Sequence, residues 1–326
     1  IAPSVLIHMA LTPGAYDMQA CIIRIGTGGS PLALAQAHEV RARLMAAHGL
    51  EEGAFEIRIY KTTGDTIQDR PLAEVGGKGL FTKEIEEALI AREIDLAVHS
   101  MKDMQTLLPD GLGIGAVLPR EDVRDAFISL KHGSLAALPK GAVVGTSSLR
   151  RQAQVKRIRP DLQVIGFRGN VQTRLRKLAE GVADATLLAC AGLNRLGMAD
   201  RITSPIATDE ILPAVAQGAI AVEILSDDSE TVRLVAPLNH EATALCVTAE
   251  RAFLTRLEGS CRTPIAGLAT LAAGTLSLRG MVFSVDGERC FETTREAPAE
   301  HAAALGTTAA DALLELGAEA LLARSA

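Results

Sequence analysis

Apolar positions along the first hundred residues change their spacing in a way that predicts alternating strands and helices. Residues 22–25 and 55–60 have the pattern of strands, and residues 31–47, which begin with a proline, predict a helix between them. Apolar side chains recur at helical spacing over residues 81–92, and residues 95–98 predict a buried strand. Strands that alternate with helices form a mostly parallel sheet, so we expect ligands at the carboxyl ends of these strands.

A second unit of the same kind follows a charged break at residues 118–122. Four further apolar segments predict its strands: residues 126–129, 142–145, 162–165 and 185–188. Residues 219–224 then predict a strand that returns to the first unit. The chain would cross twice between the two units, and we expect a cleft that can open and close.

The remainder of the chain predicts a small α+β region. A helix over residues 243–256 is expected to lead, through a Gly-Ser-Cys loop, into three short strands and a helical tail over residues 300–322. Asp286 and Gly287 predict a hairpin turn between the second and third of these strands. The expected strands are residues 265–272, 275–283 and 289–295.

These elements place the chain in the α/β class, with two α/β domains and a small α+β C-terminal domain. A length of 326 residues and a hydrophobic content of 48% supply enough apolar surface for two or three cores. The expected divisions are residues 1–21 as a loosely ordered extension, 22–118 with 217–236 as domain 1, 119–216 as domain 2 and 237–326 as domain 3.

Composition argues against several classes of protein. A net charge of −6, an aromatic content of 3% and the absence of tryptophan disfavour a nucleic-acid binder. No apolar stretch approaches the ~20 residues of a membrane span, and residues 1–20 lack the features of a signal or transit peptide. The five cysteines include no C-x-x-C pair, which disfavours a disulfide framework or a zinc site. We expect a cytoplasmic protein and, since no long apolar heptad demands a partner, a monomer.

Cationic residues are concentrated between Thr146 and Lys177, where nine Lys and Arg residues accompany one acid, Asp161. Some of these cations follow predicted strands and have hydroxyl-bearing residues, glycines and the N-terminus of a predicted helix as neighbours. In such a setting backbone N–H groups converge on an anion. The arginines in this setting are Arg150, Arg151, Arg168 and Arg174. A solvated helix face explains the other five equally well: Lys156, Arg157, Arg159, Arg176 and Lys177.

A different chemistry is indicated where the predicted strand near residue 98 ends in His99, Ser100, Lys102 and Asp103. One acid among many arginines can move protons or stabilise a cation on a bound polyanion. A helix N-cap is an equally good explanation for Asp103. His99 and Ser100 are neighbours in a strand and point to opposite faces, so a structural histidine is favoured over a nucleophile with its base.

Cys261 differs from the other cysteines because it lies on a glycine-containing loop next to Arg262, which favours the thiolate. Cys190 and Cys246 have apolar neighbours and are expected in the core, and Cys290 is expected in a strand.

Two glycine-rich loops have some features of nucleotide-binding loops without matching them. Residues 75–80 lack the first glycine and the final hydroxyl of a P-loop, and Pro31 replaces the third glycine of a dinucleotide fingerprint. No nucleotide cofactor is therefore expected.

Several segments, in this order, resemble the porphobilinogen deaminase (hydroxymethylbilane synthase) family over residues 22–326. They are residues 26–34, 76–81, 97–103, 145–151, 168–170, 191–197 and 257–261. The resemblance implies two domains like a type II periplasmic binding protein with the active site in the cleft between them, and a third domain. It also implies a transferase of tetrapyrrole and haem biosynthesis that condenses four porphobilinogens head to tail, with loss of ammonia, and releases hydroxymethylbilane by hydrolysis.

The resemblance further implies a dipyrromethane cofactor joined by a thioether to Cys261, and neither metal nor nucleotide. It assigns Asp103 as the catalytic residue. The implied cofactor-binding residues are Cys261, Lys102, Ser148, Arg150, Arg151, Gly169 and Asn170. The implied substrate-binding residues are Lys78, Ser30, Thr27, Arg168, Arg174 and Arg195.

Two positions depart from the family pattern. Gly28 stands where the family has an arginine, and Glu74 occupies a second basic position. The loss of one charged hydrogen bond could cost ~1.5–3 kcal/mol, unless another cation such as Arg24 compensates. Two alternatives therefore stay open: a catalytically weakened homologue, and a non-enzymatic anion-binding protein of the periplasmic-binding-protein type.

Overall fold

The computed structural model describes residues 22–62, 79, 82–260 and 263–322. The chain divides into two compact units. The first contains the described residues up to 120 together with 219–244, and the second contains 121–218 and the described residues from 245 onwards. The three-domain division and its boundaries therefore stay a proposal. None of the described helices combines the length and apolar character needed to cross a bilayer.

The strands are β1 Ile23–Gly28, β2 Phe55–Tyr60, β3 Leu96–Ser100, β4 Leu112–Val117, β5 Asp125–Ile128, β6 Val143–Gly145, β7 Gln163–Ile165, β8 Ala185–Ala189, β9 Ser204–Pro205, β10 Ile220–Leu225, β11 Ile265–Ala272, β12 Thr275–Phe283 and β13 Cys290–Pro298. The α-helices are α1 Pro31–His48, α2 Lys83–Ile90, α3 Leu149–Ile158, α4 Val171–Ala179, α5 Cys190–Arg195, α6 Ser229–Val235, α7 Glu241–Arg256, α8 Ala302–Glu315 and α9 Glu319–Leu322. Short 3₁₀ turns lie at Glu52–Ala54, Met101–Asp103, Ala199–Arg201, Ala236–Leu238 and Ala299–His301.

The first unit has a five-stranded sheet in the order β2-β1-β3-β10-β4. Strands β2, β1 and β3 are parallel, and β10 runs antiparallel to both of its neighbours. Helix α1 packs Val40 and Leu44 into the core of this sheet. Local sequence sets the ends of the helix: the Ser30 hydroxyl accepts a hydrogen bond from the Ala33 N–H, and Gly49 ends it in the left-handed conformation.

A second five-stranded sheet, in the order β7-β6-β8-β5-β9, repeats this arrangement in the other unit. Strands β7, β6 and β8 are parallel, and β5 runs antiparallel beside β8. The antiparallel sheet β11-β12-β13 belongs to the same unit. Helix α3 places Ala153 in a buried cluster with Ala266, Met281 and Phe283 of that sheet.

The predicted fold class, with two α/β domains and a small α+β region, is confirmed. The predicted strands are present, with bounds that match or shift by at most three residues, and Gly287 adopts positive φ in the turn between β12 and β13. Strand β4 has no counterpart among the predictions because two glycines interrupt its apolar pattern. A side chain at Gly115 would meet Ile224 and Val235, at 2.6 and 2.8 Å from its Cβ, so close packing requires the glycine that hides the strand.

A buried cluster of ionisable groups lies inside the first unit. The His99 Nε2 atom is 3.0 Å from Glu223 Oε2, and both side chains are buried. Glu86 on α2 is also buried, and burial, together with the charge of Glu223, raises the pKa of its carboxyl group. One carboxylate oxygen on Glu86 and one on Glu223 have no hydrogen-bond partner. The structural assignment of His99 is therefore confirmed.

We predict that Gly306→Ala destabilises the second unit by about 1–3 kcal/mol, the usual effect of overpacking a core. A methyl group at Gly306, on α8, would collide with the Ala249 carbonyl oxygen and approach the Phe253 nitrogen to 2.7 Å. Urea unfolding monitored by circular dichroism measures the effect. Gly133→Ala is the control, since nothing lies within 4 Å of its added Cβ, and equal midpoints for the two variants would contradict the prediction.

We predict that Glu86→Gln stabilises the protein at neutral pH, and that the gain disappears on acidification. A carboxyl group whose pKa is raised in the folded state stabilises the fold below the unfolded-state pKa and loses that stability as pH rises through the folded pKa. Glutamine has no such loss, so the variant should gain on the wild type as the pH rises above the ordinary glutamate pKa of about 4.3. Urea unfolding at pH values on both sides of this pKa tests it, with exposed Glu87→Gln on the same helix as the control; a constant difference would refute the prediction.

Candidate active site

Four of the predicted site residues in the first unit lie at one edge of its sheet. Strands β1 and β3 are parallel neighbours, with Ile25 opposite Leu96, so their carboxyl ends meet at the same edge. The carboxyl half of β1 contains Thr27, whose hydroxyl donates to the Ala33 carbonyl oxygen at 3.2 Å. Ser30 caps α1 just beyond β1, and Lys102 and Asp103 follow β3 directly.

The turn Met101–Asp103 places Asp103 at this edge. Met101 is buried and its N–H donates to the Ala219 carbonyl oxygen at 3.0 Å, which ties the start of the turn to the residue before β10. Asp103 is the last residue of the turn and is exposed, and Lys102 is half-buried. The next regular element is the strand β4, so Asp103 does not cap a helix and the N-cap explanation is wrong.

Ser100 and His99 have separate partners, as the alternation of side chains along a strand requires. The Gln36 side-chain amide donates to the Ser100 hydroxyl at 2.7 Å, whereas His99 faces Glu223. Neither contact brings the histidine ring to the serine, so the two residues do not form a nucleophile with its base.

The strand ends of the second unit also meet at one edge, because β6, β7 and β8 are parallel neighbours. Ser148 follows β6 and caps α3 by accepting a hydrogen bond from the Arg151 N–H. Asn170 follows β7 and caps α4 by accepting one from the Thr173 N–H. Gly169 has a φ of 120°, and a Cβ there would meet the Thr173 side chain, so the close turn into α4 requires glycine.

Arg150 and Arg151 are buried at this edge around one acid, Asp125. Arg150 Nη2 donates to Asp125 Oδ2 and Arg151 Nη2 donates to Asp125 Oδ1, both at 2.8 Å. Their Nη1 groups donate to the carbonyl oxygens of Leu212 and Leu187. Burial raises the pKa of Asp125, but the two guanidinium charges and their hydrogen bonds outweigh it and hold that pKa below its usual range. The Nε atoms of both arginines are buried without a partner.

The other predicted arginines of this edge are half-buried: Arg168, Arg174 and Arg195. Arg174 Nε donates to the Gly169 carbonyl oxygen at 2.8 Å, and Arg195 Nη2 donates to the Gly218 carbonyl oxygen at 3.0 Å. These bonds orient the two side chains on α4 and at the end of α5, the helices that follow β7 and β8.

A solvated face describes only part of the remaining cationic run. Arg157 and Arg176 are exposed. Arg159 instead makes a two-pronged ion pair with Asp161, at 2.8 and 2.6 Å. Lys177 donates to the Arg168 carbonyl oxygen at 3.0 Å and lies 5.8 Å from the centre of the Phe167 ring. These two residues are structural rather than free in solvent.

Lys78, Glu74 and Cys261 lie outside the described residues. The cysteines that the structure does describe are poor candidates for a reactive thiolate. Cys190 and Cys246 are buried, and Cys290 begins β13. Burial raises the pKa of Cys190 to about 12 and that of Cys290 to about 11. The expectations for these three cysteines are confirmed.

The suggestion that Arg24 compensates for Gly28 is wrong. Arg24 lies at the amino end of β1 and Gly28 at its carboxyl end, about 13 Å apart at the usual rise per residue of a strand. The Arg24 guanidinium is held by Asp95 through both oxygens, at 3.1 and 2.6 Å.

Sequence reasoning did not identify Asp125 and Gln217 as part of the second unit's edge. Gln217 Nε2 donates to Asp125 Oδ1 at 2.9 Å and to the Val123 carbonyl oxygen at 2.8 Å. Asp125 is separated from its arginines by about 25 residues of sequence and Gln217 by about 66. Only the pairing of β5 with β8, which sets Asp125 opposite Ala189, brings the acid to the end of β8.

Known proteins share most of this sequence. The family described as "Porphobilinogen deaminase, dipyromethane cofactor binding domain" matches residues 23–233, and "Porphobilinogen deaminase, C-terminal domain" matches residues 244–315. The chain is 60% identical over 291 residues to the porphobilinogen deaminase of Paracoccus denitrificans, covering 89% of this chain and 93% of that one. It is 58% identical over 291 residues to the chloroplastic porphobilinogen deaminase of Pisum sativum, covering 88% of this chain and 79% of that one.

Likenesses among solved structures are much weaker. The methionine-binding protein MetQ aligns with a TM-score of 0.42 and 15% identity over 66% of this chain and 89% of that one. The VFT2 domain of Bordetella pertussis BvgS, as a double mutant, aligns with a TM-score of 0.38 and 17% identity over 66% of this chain and 85% of that one. The sequence matches, by contrast, cover both family domains and nearly the whole chain. The chain belongs to the porphobilinogen deaminase family.

Proposed function

We propose that this chain is a hydroxymethylbilane synthase: it condenses four porphobilinogen molecules head to tail, with loss of ammonia, and releases the linear tetrapyrrole by hydrolysis. Membership of the porphobilinogen deaminase family carries this proposal. It also favours the enzyme over both a weakened homologue and a binding protein without chemistry. The net charge of −6 and the aromatic content of 3% support action on a small molecule rather than on nucleic acid. A cytoplasmic monomer is part of the same proposal.

The cationic edge of the second unit fits a cofactor that presents carboxylates. Arg150 and Arg151 each keep a buried Nε–H without a partner, and two guanidinium charges face the single carboxylate of Asp125. We assign the binding of dipyrromethane carboxylates to Arg150 and Arg151, together with Ser148, Gly169 and Asn170 of the same unit and with Lys102 of the first unit, and its covalent attachment to Cys261. When bound, dipyrromethane supplies the pyrrole carbon onto which the first substrate ring is added.

Substrate carboxylates are assigned to a second set of cations and hydroxyls. These are Lys78, Ser30, Thr27, Arg168, Arg174 and Arg195. Arginine suits this task because its planar fork matches a carboxylate through two parallel hydrogen bonds. Each added ring brings further carboxylates, so several such groups are needed as the product grows.

Asp103 is assigned to the reacting centre. Porphobilinogen becomes a cation when its aminomethyl group loses ammonia, and a carboxylate beside the pyrrole N–H stabilises that charge and accepts the proton released as the new bond forms. The exposed position of Asp103 after β3 leaves its carboxylate accessible to a ligand.

Purified protein given porphobilinogen should release four ammonia molecules for each tetrapyrrole, and the tetrapyrrole is measured as uroporphyrin after acid oxidation. No release by protein that carries its cofactor would refute the proposal.

We predict that Asp103→Asn retains the covalent cofactor but loses turnover by ~10²- to 10⁴-fold, the usual contribution of a positioned acid–base group. The amide keeps the size of the side chain but removes its charge and its ability to accept a proton. Ammonia release and intact mass measure the two effects separately. Asp110→Asn, an exposed acid in the loop before β4, is the matched control, and near-normal turnover in Asp103→Asn would remove this residue from the mechanism.

We predict that Cys261→Ser lacks the covalent dipyrrole, because a hydroxyl at neutral pH supplies almost no anionic nucleophile. Intact mass spectrometry of the purified chain reads this directly. Cys290→Ser should keep the adduct, since its thiol stays protonated at neutral pH. An adduct that persists in Cys261→Ser would place the attachment elsewhere.

A further inference from the structure

Asp125 is the least exposed member of a charged cluster that contains more positive than negative charge. Its relative exposure is 0%, against 4% for Arg150 and 5% for Arg151. Three donors converge on its two oxygens, at 2.8, 2.8 and 2.9 Å, from the two arginines and Gln217. The carboxylate has no exposed surface and is therefore enclosed by protein groups rather than available to a ligand.

The charges of this cluster do not balance among the residues that the structure describes. Two guanidinium groups share one carboxylate, which leaves one positive charge in a place that excludes water. A buried charge is normally paired, and the two buried Nε–H groups are normally hydrogen-bonded. An anion bound near the arginines would offset the positive charge that Asp125 leaves unbalanced.

The same cluster is tied to three separate parts of the second unit. Arg150 also donates to the carbonyl oxygen of Leu212, and Arg151 to that of Leu187 on β8. Gln217 joins Asp125 to the Val123 carbonyl oxygen, just before β5. Each guanidinium thus has two fixed points, which leaves little freedom in the direction of its remaining N–H groups.

We infer that Asp125 is a positioning residue for cofactor capture: its carboxylate holds the Arg150 and Arg151 forks apart and aligned, so that their excess charge attracts the carboxylates of dipyrromethane. Gln217 supports Asp125 in this role. Neither residue contacts the reacting atoms. The inference rests on the proposed function, since it concerns the residues assigned there to the cofactor.

Asp125→Asn tests the role, because the amide has the same size but loses the charge and offers only one acceptor oxygen to two guanidinium groups. The rate at which cofactor-free protein acquires the dipyrrole from porphobilinogen, followed by intact mass, should fall by about tenfold or more, as expected for losing one charge-assisted hydrogen bond. Asp125→Glu restores the charge and should recover part of the loss. Gln217→Met removes one donor to Asp125 and should slow loading by a smaller factor.

Asp161→Asn is the matched control. It also breaks a two-pronged Asp–Arg pair in the second unit, with Arg159, but away from the ends of β6 and β8. All variants are compared at a temperature where urea unfolding shows them folded. A purely structural role predicts that Asp125→Asn and Asp161→Asn both lose stability and both load at the wild-type rate, and this result would overturn the inference.

The outcomes separate the inference from the proposed function. A wild-type chain that never gains the dipyrrole mass would refute the proposed function, whereas wild-type loading with equally fast loading of Asp125→Asn would refute the inference alone. If Asp125→Asn does not fold, Gln217→Met decides, and loading of that variant at the wild-type rate would overturn the inference. Slower loading of Gln217→Met, with normal loading of Asp161→Asn, would support it.

Discussion

One buried carboxylate controls the electrostatics of the second unit's strand ends. Asp125 lies between Arg150 and Arg151 at 2.8 Å from each, and removing one partner from such a buried group costs ~3–5 kcal/mol because the remaining charge is left uncompensated. Full neutralisation would need a second acid, whereas among the described residues the third hydrogen-bond donor to the same carboxylate is Gln217, a neutral group. The excess positive charge is therefore a feature of the folded protein that a bound anion can satisfy.

This charge would be of little use if the polypeptide did not bring it to a strand end. In both five-stranded sheets, three parallel strands run side by side and one strand returns antiparallel to them. Loops that are distant in sequence therefore meet at one edge, where caps such as Ser148 and Asn170 also turn helix N-termini towards that edge. In the first unit the same geometry gathers the end of β1 and the turn that contains Asp103.

The sequence predicted the parts of this arrangement that depend on local patterns. Strand β2 was expected over its observed range and α1 within one residue of its end, because alternation in the strand, Pro31 at the helix start and Gly49 at its end are all local signals. Strand β4 lacked such a signal because Gly115 packs closely against Ile224 and Val235, and Gly113 against Ser226. The arginines were visible as a cluster, but their common partner was not, since only strand pairing brings Asp125 to them.

The contrast between Arg24 and the buried arginines shows why cation counts alone do not define a binding site. Arg24 carries the same group as Arg150, yet Asp95 occupies it through both oxygens, so the pair is neutral and needs no ligand. Arg150 and Arg151 share one acid, so the same chemistry leaves a net charge. Placement adds to this difference, since Arg24 lies at the amino end of β1 and the paired arginines follow the carboxyl end of β6. Another cation could therefore take the place of the arginine that is missing at Gly28 only if it lay near the end of the strand and lacked a counter-charge. Arg24 meets neither condition.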